Sequence, residues 1–205
     1  MENTAFITLS RQVVLQRELE VIANNVANLS TPAYKSKSMT FSEEVQAAQD
    51  SDMSFVSDGS TSSNFDQGPL SATQNPLDVA IHGEGFFPVQ TPDGDRYTRA
   101  GRFLIDPSGD LVTNQGFQVL GLGKAPIKIP LGDGEIIIAR DGTVSTAGGT
   151  VGRLEIVMFE NLESLMDEGN TLYATDAEPI SNPDADIEQG MVEESNVNGI
   201  LEMTK

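Results

Sequence analysis

Few residues of this sequence belong to the types that carry out catalysis, and their spacing does not build a familiar active site. His82 is the only histidine among 205 residues, and there is no cysteine. A histidine-rich zinc site and an H-E-x-x-H motif are therefore excluded, as are disulfide bonds and thiolate chemistry. A Ser-His-Asp triad would have to use His82, and the sequence has no G-x-S-x-G motif. We interpret His82 as a structural residue beside Gly83 and predict no catalytic residues.

Clustered carboxylates are the remaining candidates for chemistry. Asp184, Asp186 and Glu188 alternate as calcium ligands do, but Gln189 stands where an EF-hand loop needs glycine and Ser195 where it needs glutamate. Paired carboxylates also hydrolyse glycosides, but the sequence has no Trp to stack on sugars. We predict an acidic loop with no metal and no cofactor. Two alternatives stay open: a secreted acidic β protein that binds calcium or glycan, and a small hydrolase that uses carboxylates.

The charge balance and the lack of long apolar runs exclude several partners. Twelve Lys and Arg face 31 Asp and Glu, which gives a net charge of −19. Because nucleic acids and anionic membranes attract basic proteins, we predict no nucleic-acid binding and no association with membranes. The longest apolar run near the N-terminus, residues 13–15, is too short for a membrane span or a signal-peptide core. We expect no membrane insertion and no cleaved apolar signal.

The first 32 residues have the periodicity of a helix. They contain no Gly, and the first Pro is Pro32, which cannot continue a helix after Ser30 and Thr31. We therefore predict an assembly helix over residues 1–32. Alternating steps of three and four, the spacing of a coiled-coil seam, join Ala5, Thr8, Gln12, Leu15, Leu19, Ile22, Val26 and Leu29. A helix with one narrow apolar stripe is not stable alone, so we expect it to pack against a partner.

The middle of the sequence shifts from irregular to β. Residues 33–76 predict an extended linker, with a short helix at 41–50 and an exposed loop at 51–63. Residues 77–190 consist of short apolar segments separated by Gly- and Asp-containing turns. This pattern predicts a central antiparallel β domain, either a sandwich or an irregular barrel, whose core is built mainly from Val, Ile, Leu and Phe.

Smaller features complete the prediction of a mainly β fold with a long N-terminal α-helix. Residues 161–166 predict one or two helical turns, and residues 191–205 predict the start of a C-terminal helix after the N-cap candidates 195–198. Gly83, Gly85 and Gly101 are predicted to hold turns of the β domain.

Several sequence segments occur in a characteristic order. Residues 23–32 have the form A-N-N-[LIV]-A-N followed by a Thr-containing stop. Residues 77–87 and 97–103 follow in the β region, and 189–190 with 194–198 close the series. Together these segments resemble the N-terminal, central and C-terminal signatures of the flagellar axial family, which includes rod and hook proteins.

The resemblance implies a structural function and no enzymatic activity. It implies a subunit of the flagellar basal-body rod, within the periplasm, that self-assembles through terminal helices into a hollow drive shaft and transmits torque. The implied partners are copies of itself, other rod proteins and the flagellar type III export machinery, which passes the protein unfolded. The compact size favours a rod protein, and residues 1–4 and 9–12 are most similar to a proximal-rod protein. A distal-rod or hook subunit is the alternative.

The resemblance and the seam together predict an assembly interface. Its residues are Leu15, Leu19, Ile22, Asn25, Val26, Asn28, Leu29, Ser195, Asn196, Val197 and Asn198. Asn24, Asn25 and Asn28 are poor helix formers, so they either bond to another helix and fix its register or are ordinary exposed residues. Family members continue as a C-terminal helix beyond the position of Lys205. We therefore expect the protein as given to keep a folded β domain, and its stripe to be covered by something else, such as another copy, the alternative being that the helix frays.

Overall fold

The described part of the protein forms two compact units. The computed structural model describes residues 2–48, 51–130, 132, 134–183 and 185–204, with side chains omitted at 2–7, 10 and 41–59. Unit 1 comprises Met1–Leu29, Lys35–Phe65 and Val197–Lys205, and unit 2 comprises Ser30–Tyr34 and Asp66–Asn196. Strands hold 41% of the residues and helices 17%, which confirms the predicted mainly β class.

Unit 1 contains two helices and a β hairpin. Helix α1 spans Glu2–Ala27, and helix α2 is a single turn at Gly199–Glu202. Strands β1 (Lys37–Ala48) and β2 (Ser51–Ser63) pair in antiparallel fashion, from Lys37 opposite Ser63 to Ala48 opposite Ser51. The register shifts between Thr40 and Ser42. None of the described helices combines the length and apolar character needed to cross a membrane.

The hairpin corrects two predictions. The helix predicted at 41–50 and the exposed loop predicted at 51–63 are both wrong, because these residues form most of β1 and β2. The Glu, Gln and Ala residues of 43–48 favour a helix locally. The backbone ladder with β2 overrides that preference, as tertiary pairing commonly does.

Helix α1 also ends earlier than the Pro-based prediction. Its last residue is Ala27, although Pro32 would have allowed it to continue. Nδ2 of Asn28 donates to the carbonyl oxygen of Asn24 at 2.9 Å, which satisfies one of the last helical carbonyls. Asn side chains interfere in this way with helix propagation, so the helix stops at the Asn-rich segment.

Unit 2 is built from short strands. They are β3 (Leu70–Ala72), β4 (Val79–His82), β5 (Phe87–Thr91), β6 (Gly94–Thr98), β7 (Phe103–Ile105), β8 (Leu111–Thr113), β9 (Gln118–Gly121), β10 (Ala125–Pro126), β11 (Ile137–Ile138), β12 (Thr143–Thr146), β13 (Gly149–Arg153), β14 (Val157–Met158), β15 (Met166–Gly169), β16 (Leu172–Ala174), β17 (Ile180–Ser181), β18 (Asp186–Gln189) and β19 (Met191–Glu193). The predicted helical turn is confirmed as a 3-10 helix at Leu162–Ser164, and a second one lies at Leu122–Lys124.

The strands of unit 2 pair in antiparallel fashion. Among the described residues, the largest sheet follows the order β15-β16-β6-β5-β9-β8-β7, with β10 added to β9, and forms a half-barrel. A smaller sheet has the order β11-β12-β13, and β14-β17, β18-β4 and β19-β3 form further pairs. The pair β19-β3 extends the β structure beyond both limits of the predicted 77–190 region.

The core of unit 2 lies on one face of the main sheet. Its buried members are the Val, Ile, Leu and Phe residues that the composition predicts, and Phe87 packs edge-on against Phe103 at 5.2 Å. Phe86, the preceding residue, instead contacts Phe159 and Tyr173, each at 6.0 Å between ring centroids. Because successive side chains of an extended segment point to opposite faces, the two phenylalanines join two different clusters.

Two of the predicted turn glycines are required for different reasons. Gly85 has a φ of +143°, and a Cβ there would collide with the Cγ2 methyl of Ile156. Gly101 lacks a left-handed φ, but a Cβ there would collide with the carbonyl oxygen of Val79. The amide of Val79 donates to the carbonyl of Gly101 at 2.9 Å, so the two backbones must lie in contact. Gly83 has open space around it.

We expect Gly101→Ala to destabilise unit 2 by about 1–3 kcal/mol or more, because the new methyl group displaces a hydrogen-bonded backbone. The matched control is Gly152→Ala on β13, where a Cβ would lie 3.7 Å from the side chain of Ile127. That change should be neutral or mildly stabilising. Urea unfolding of both variants tests this, and equal midpoints would show that the Val79–Gly101 contact is not rigid.

Candidate assembly interface

The apolar stripe of α1 is open at one end and partly covered at the other. Leu15 and Leu19 are 58% and 65% exposed. Ile22, Val26 and Leu29 are half-buried. Of the earlier stripe positions, Thr8 and Gln12 are exposed, and the side chain of Ala5 lies outside the described residues. The stripe therefore presents two leucines to solvent in the described part of unit 1.

The side chain of Asn25 is the polar centre of unit 1. It is fully buried, and its Nδ2 donates to the carbonyl oxygen of Lys37 at 2.8 Å and to Oε2 of Glu202 at 3.2 Å. Its Oδ1 accepts from the backbone amide of Lys37 at 2.9 Å. The side-chain amide of Asn25 thus bonds to both backbone groups of Lys37, the first residue of β1, and to the side chain of Glu202, the last residue of α2. Of the two interpretations left open for this asparagine, contact with another helix is the one observed.

The two neighbouring asparagines behave differently. Asn24 is exposed, and Asn28 bonds back to it through both the Asn24 carbonyl oxygen and, at 3.2 Å, the Asn24 Oδ1. The three asparagines look alike in the sequence. In the structure, Asn25 is buried and bonds to other elements, whereas Asn28 bonds back to Asn24 at the end of the helix.

Helix α2 begins at a capped residue and packs on α1. Oδ1 of Asn198 accepts from the backbone amide of Leu201 at 3.2 Å. A Cβ at Gly199 would lie 3.0 Å from Cδ1 of Leu29, so the start of α2 packs closely on the residue that follows the end of α1 by two positions. Beyond the cap, Ile200 and Leu201 are exposed. The predicted residues Leu29 and Asn198 therefore lie close to each other in unit 1, where the chain leaves α1 and where α2 begins.

The remaining predicted residues fall on either side of a unit boundary. Val197 belongs to unit 1 and is half-buried, whereas Ser195 and Asn196 belong to unit 2. Ser195 is buried, and Asn196 donates from Nδ2 to the carbonyl oxygen of Asp66 at 2.9 Å and from its backbone amide to the carbonyl oxygen of Tyr34 at 3.3 Å. These two residues hold the end of the β structure, which the sequence did not indicate.

A buried ion pair in unit 2 was missed by the sequence reasoning. Nε of Arg99 lies 3.0 Å from Oε2 of Glu193, and the two side chains are 4% and 1% exposed. Oε1 of Glu193 accepts from the backbone amide of Gly68 at 2.9 Å, and the guanidinium donates to the carbonyls of Gly85 and Gly83 at 2.7 and 2.8 Å. The pair thus joins the ends of β6 and β19 to the backbone at Gly68, Gly83 and Gly85. Arg99 lies within the signature at 97–103, but nothing in the sequence named its partner.

An aromatic residue near this pair is kept neutral by its surroundings. Burial raises the pKa of the Tyr173 phenol well above its usual range, and the charges of Asp167 and Glu193 act in the same direction. Tyr97, whose ring packs on Phe159 at 4.8 Å, has its pKa raised mainly by burial as well. Neither phenol is poised for acid–base chemistry near neutral pH.

The acidic loop considered for calcium is only partly described. Asp184 lies outside the described residues, Asp186 pairs with His82 across β18 and β4, and Glu188 pairs with Ala80. Asp186 also lies 3.8 Å from the guanidinium of Arg140. Within the described ranges, no group of three His, Asp or Glu side chains is placed to hold a metal ion.

Comparison with known proteins identifies the family. Residues 8–35 match the family model described as flagella basal body rod protein, and residues 80–146 match the flagellar hook protein FlgE/F/G D1 domain. The flagellar basal-body rod protein FlgF of Caulobacter vibrioides is 41% identical over the whole of this chain and 86% of its own length. The FlgF protein of Mesorhizobium japonicum is 36% identical with the same coverage. The chain belongs to the FlgF family of flagellar basal-body rod proteins.

Membership of the FlgF family confirms the resemblance seen in the sequence. The FlgG protein of Bacillus subtilis is 34% identical over 84% of this chain and 73% of its own length, so the FlgF relatives match more of the chain. The family is a structural one and is located in the basal-body rod. The first matched segment contains the α1 stripe from Thr8 onward and Asn25, and the second contains Arg99 and the strands from β4 to β12.

We expect Asn25→Ala to loosen unit 1, because it removes three hydrogen bonds and leaves the amide and carbonyl of Lys37 without this partner. The cost should be about 1–3 kcal/mol. Asn24→Ala, at the exposed neighbouring position, should have a much smaller effect on stability. Hydrogen exchange at the Lys37 amide and urea melting of the helical circular dichroism measure both effects. Similar protection of Lys37 in the two variants would contradict the role of Asn25.

We expect Arg99→Met to destabilise unit 2 by about 3–5 kcal/mol, because it leaves the carboxylate of Glu193 buried without its cation. Arg96→Met is the control, since its partner Glu168 is 43% exposed and surface pairs contribute about 0–1 kcal/mol. Adding Glu193→Gln to Arg99→Met should recover part of the loss, as contacting residues are not additive. If the double variant is as unstable as the sum of the singles, the pair is not the source of the effect.

Proposed function

We propose that this FlgF-family protein is a non-enzymatic rod subunit that assembles through the α1 stripe and the segment 197–203. Assembly joins copies of the protein to each other and to other rod proteins, and the resulting hollow shaft transmits torque. The family relationship supports a structural protein of the rod. The assignment of the contacts to particular residues rests on the arrangement of unit 1.

The observation that carries the proposal is the exposure of two leucines in the middle of a helix that is fixed near its C-terminal end. Asn25 ties α1 to β1 and α2, so the helix is held in place without using Leu15 and Leu19. Burying a leucine side chain is worth about 1.5–3 kcal/mol, so each leucine left in water is a potential contribution to association. A contiguous apolar stripe on a positioned helix is typical of an interaction surface.

The end of unit 1 offers a second apolar surface. Ile200, Leu201 and Met203 are 82%, 57% and 72% exposed, and they follow directly on the capped start of α2. Asn25 of α1 bonds to Glu202 of this turn, and Leu29 packs against Gly199, so the position of the turn is fixed within unit 1. Two sets of exposed apolar side chains in one unit supply complementary surfaces for neighbouring copies.

The remaining partners follow from charge and composition. A net charge of −19 opposes binding to nucleic acids and to anionic membranes, so protein surfaces are the partners that remain. We propose that the flagellar type III export machinery delivers the protein unfolded, without membrane insertion. The absence of cysteine removes the risk of disulfide cross-links in the periplasm.

Leu19→Asp should abolish assembly, because association would bury a carboxylate without a partner at a cost of several kcal/mol. In a strain lacking the chromosomal copy, we expect the variant to be folded and stable yet unable to restore swimming. Leu104→Asp is the matched control, since Leu104 is also a well-exposed leucine, at 49%, but lies on β7 of unit 2. The control should swim. Normal swimming by the Leu19→Asp strain would refute the stripe as an interface.

A further inference from the structure

We propose that Asn198 is a site of spontaneous deamidation that helix α2 protects. Asn198-Gly199 is the only Asn-Gly pair among the 205 residues. Side-chain amides followed by glycine are the ones most prone to this reaction, because a following residue without Cβ leaves its backbone nitrogen accessible and its conformation unrestricted. Asn198 is exposed to water, which the reaction consumes.

The Asn198-Gly199 pair lies at a close packing contact with Leu29. A Cβ at Gly199 would lie 3.0 and 3.1 Å from the two Cδ atoms of Leu29, which is closer than side chains ordinarily approach. A side chain at position 199 would therefore require the end of the Leu29 side chain to shift by a few tenths of an ångström. Asn198, for its part, supplies the cap that α2 needs at its start. Asn198 thus has a structural role as the cap, and Gly199 follows it where Leu29 leaves little room for a side chain.

The chemical step needs only water. The deprotonated backbone nitrogen of Gly199 attacks Cγ of Asn198, and a new bond forms between these two atoms while the bond from Cγ to Nδ2 breaks. Ammonia leaves, and the product is a five-membered succinimide. Water then opens the ring at either carbonyl, which gives aspartate or isoaspartate. Overall, one amide and one water become one carboxylic acid and one ammonia.

The native geometry opposes this step. Asn198 has φ −93° and ψ 100°, and its Oδ1 is held by the amide of Leu201 at 3.2 Å. Its backbone carbonyl accepts from the amide of Glu202 at 3.0 Å. To reach the nitrogen of Gly199, Cγ must turn away from Leu201, and the first turn of α2 must open. The reaction therefore proceeds through a state in which the cap is broken.

The two products have different consequences for unit 1. Aspartate at position 198 keeps the capping oxygen and adds a negative charge at a helix start, which is tolerated. Isoaspartate inserts an extra backbone carbon between residues 198 and 199. The first turn of α2 then no longer places Glu202 against Asn25. A molecule that forms isoaspartate at position 198 while it is unfolded can therefore no longer make the contact between Asn25 and Glu202 when it folds.

Peptide mass spectrometry of the whole protein measures the extent of deamidation at each asparagine. Samples are incubated in mildly alkaline buffer with and without denaturing urea. In urea, we expect Asn198 to react before every other asparagine. In native buffer, we expect it to react about fivefold more slowly, since loss of an N-cap costs roughly that factor. Asn25→Ala removes a contact to Glu202 and should give an intermediate native rate.

Asn198→Ser keeps a capping oxygen but has no amide, so it should show no isoaspartate at this position while the fold is retained. Equal rates with and without urea would overturn the protection by α2. Earlier reaction of another asparagine in urea would overturn the choice of site. The reaction involves only unit 1 and water, so these outcomes are independent of whether the protein assembles into rods.

Discussion

The buried amide of Asn25 is the constraint on which the arrangement of unit 1 depends. One side chain bonds to both backbone groups of Lys37, at the start of β1, and to the carboxylate of Glu202, at the end of α2. A buried amide that lost these partners would keep its desolvation cost and lose its hydrogen bonds, so α1, β1 and α2 are held in one relation. These hydrogen bonds also hold α1 near its C-terminal end. Its leucines at 15 and 19 are left exposed in unit 1.

Unit 2 uses the same principle with charges instead of amides. Glu193 receives Arg99 and the amide of Gly68, and its own carbonyl accepts from the amide of Ala33 at 2.8 Å. Buried ion pairs contribute little to stability compared with well-packed apolar groups, but they tolerate few alternative arrangements. In both units, polar groups fix the ends of elements, and apolar groups fill the interior of unit 2 or remain exposed on α1.

Much of this organisation could be predicted from local patterns. The helix and its stripe follow from steps of three and four ending at Leu29, and the β domain follows from Gly- and Asp-containing turns such as those at Gly94 and Gly142. The contacts that fix those elements could not be predicted in the same way. Asn25 meets residues 12 and 177 positions away, and Arg99 meets a carboxylate 94 positions away. The hairpin of β1 and β2 was missed because helix-forming residues such as Glu43 and Gln46 gain their strand pairing only from the second strand.

Leu19 should be exposed in the separate subunit and covered in the rod, and this difference can be measured directly. The sequence has no cysteine, so Leu19→Cys introduces one thiol that a water-soluble maleimide can report without background. Leu104→Cys on unit 2 supplies the reference for reagent access. We expect rapid labelling of both thiols in the purified subunit, and strong protection of the thiol at position 19 relative to that at 104 in isolated basal bodies. Equal labelling of the two thiols in basal bodies would contradict assembly through the α1 stripe.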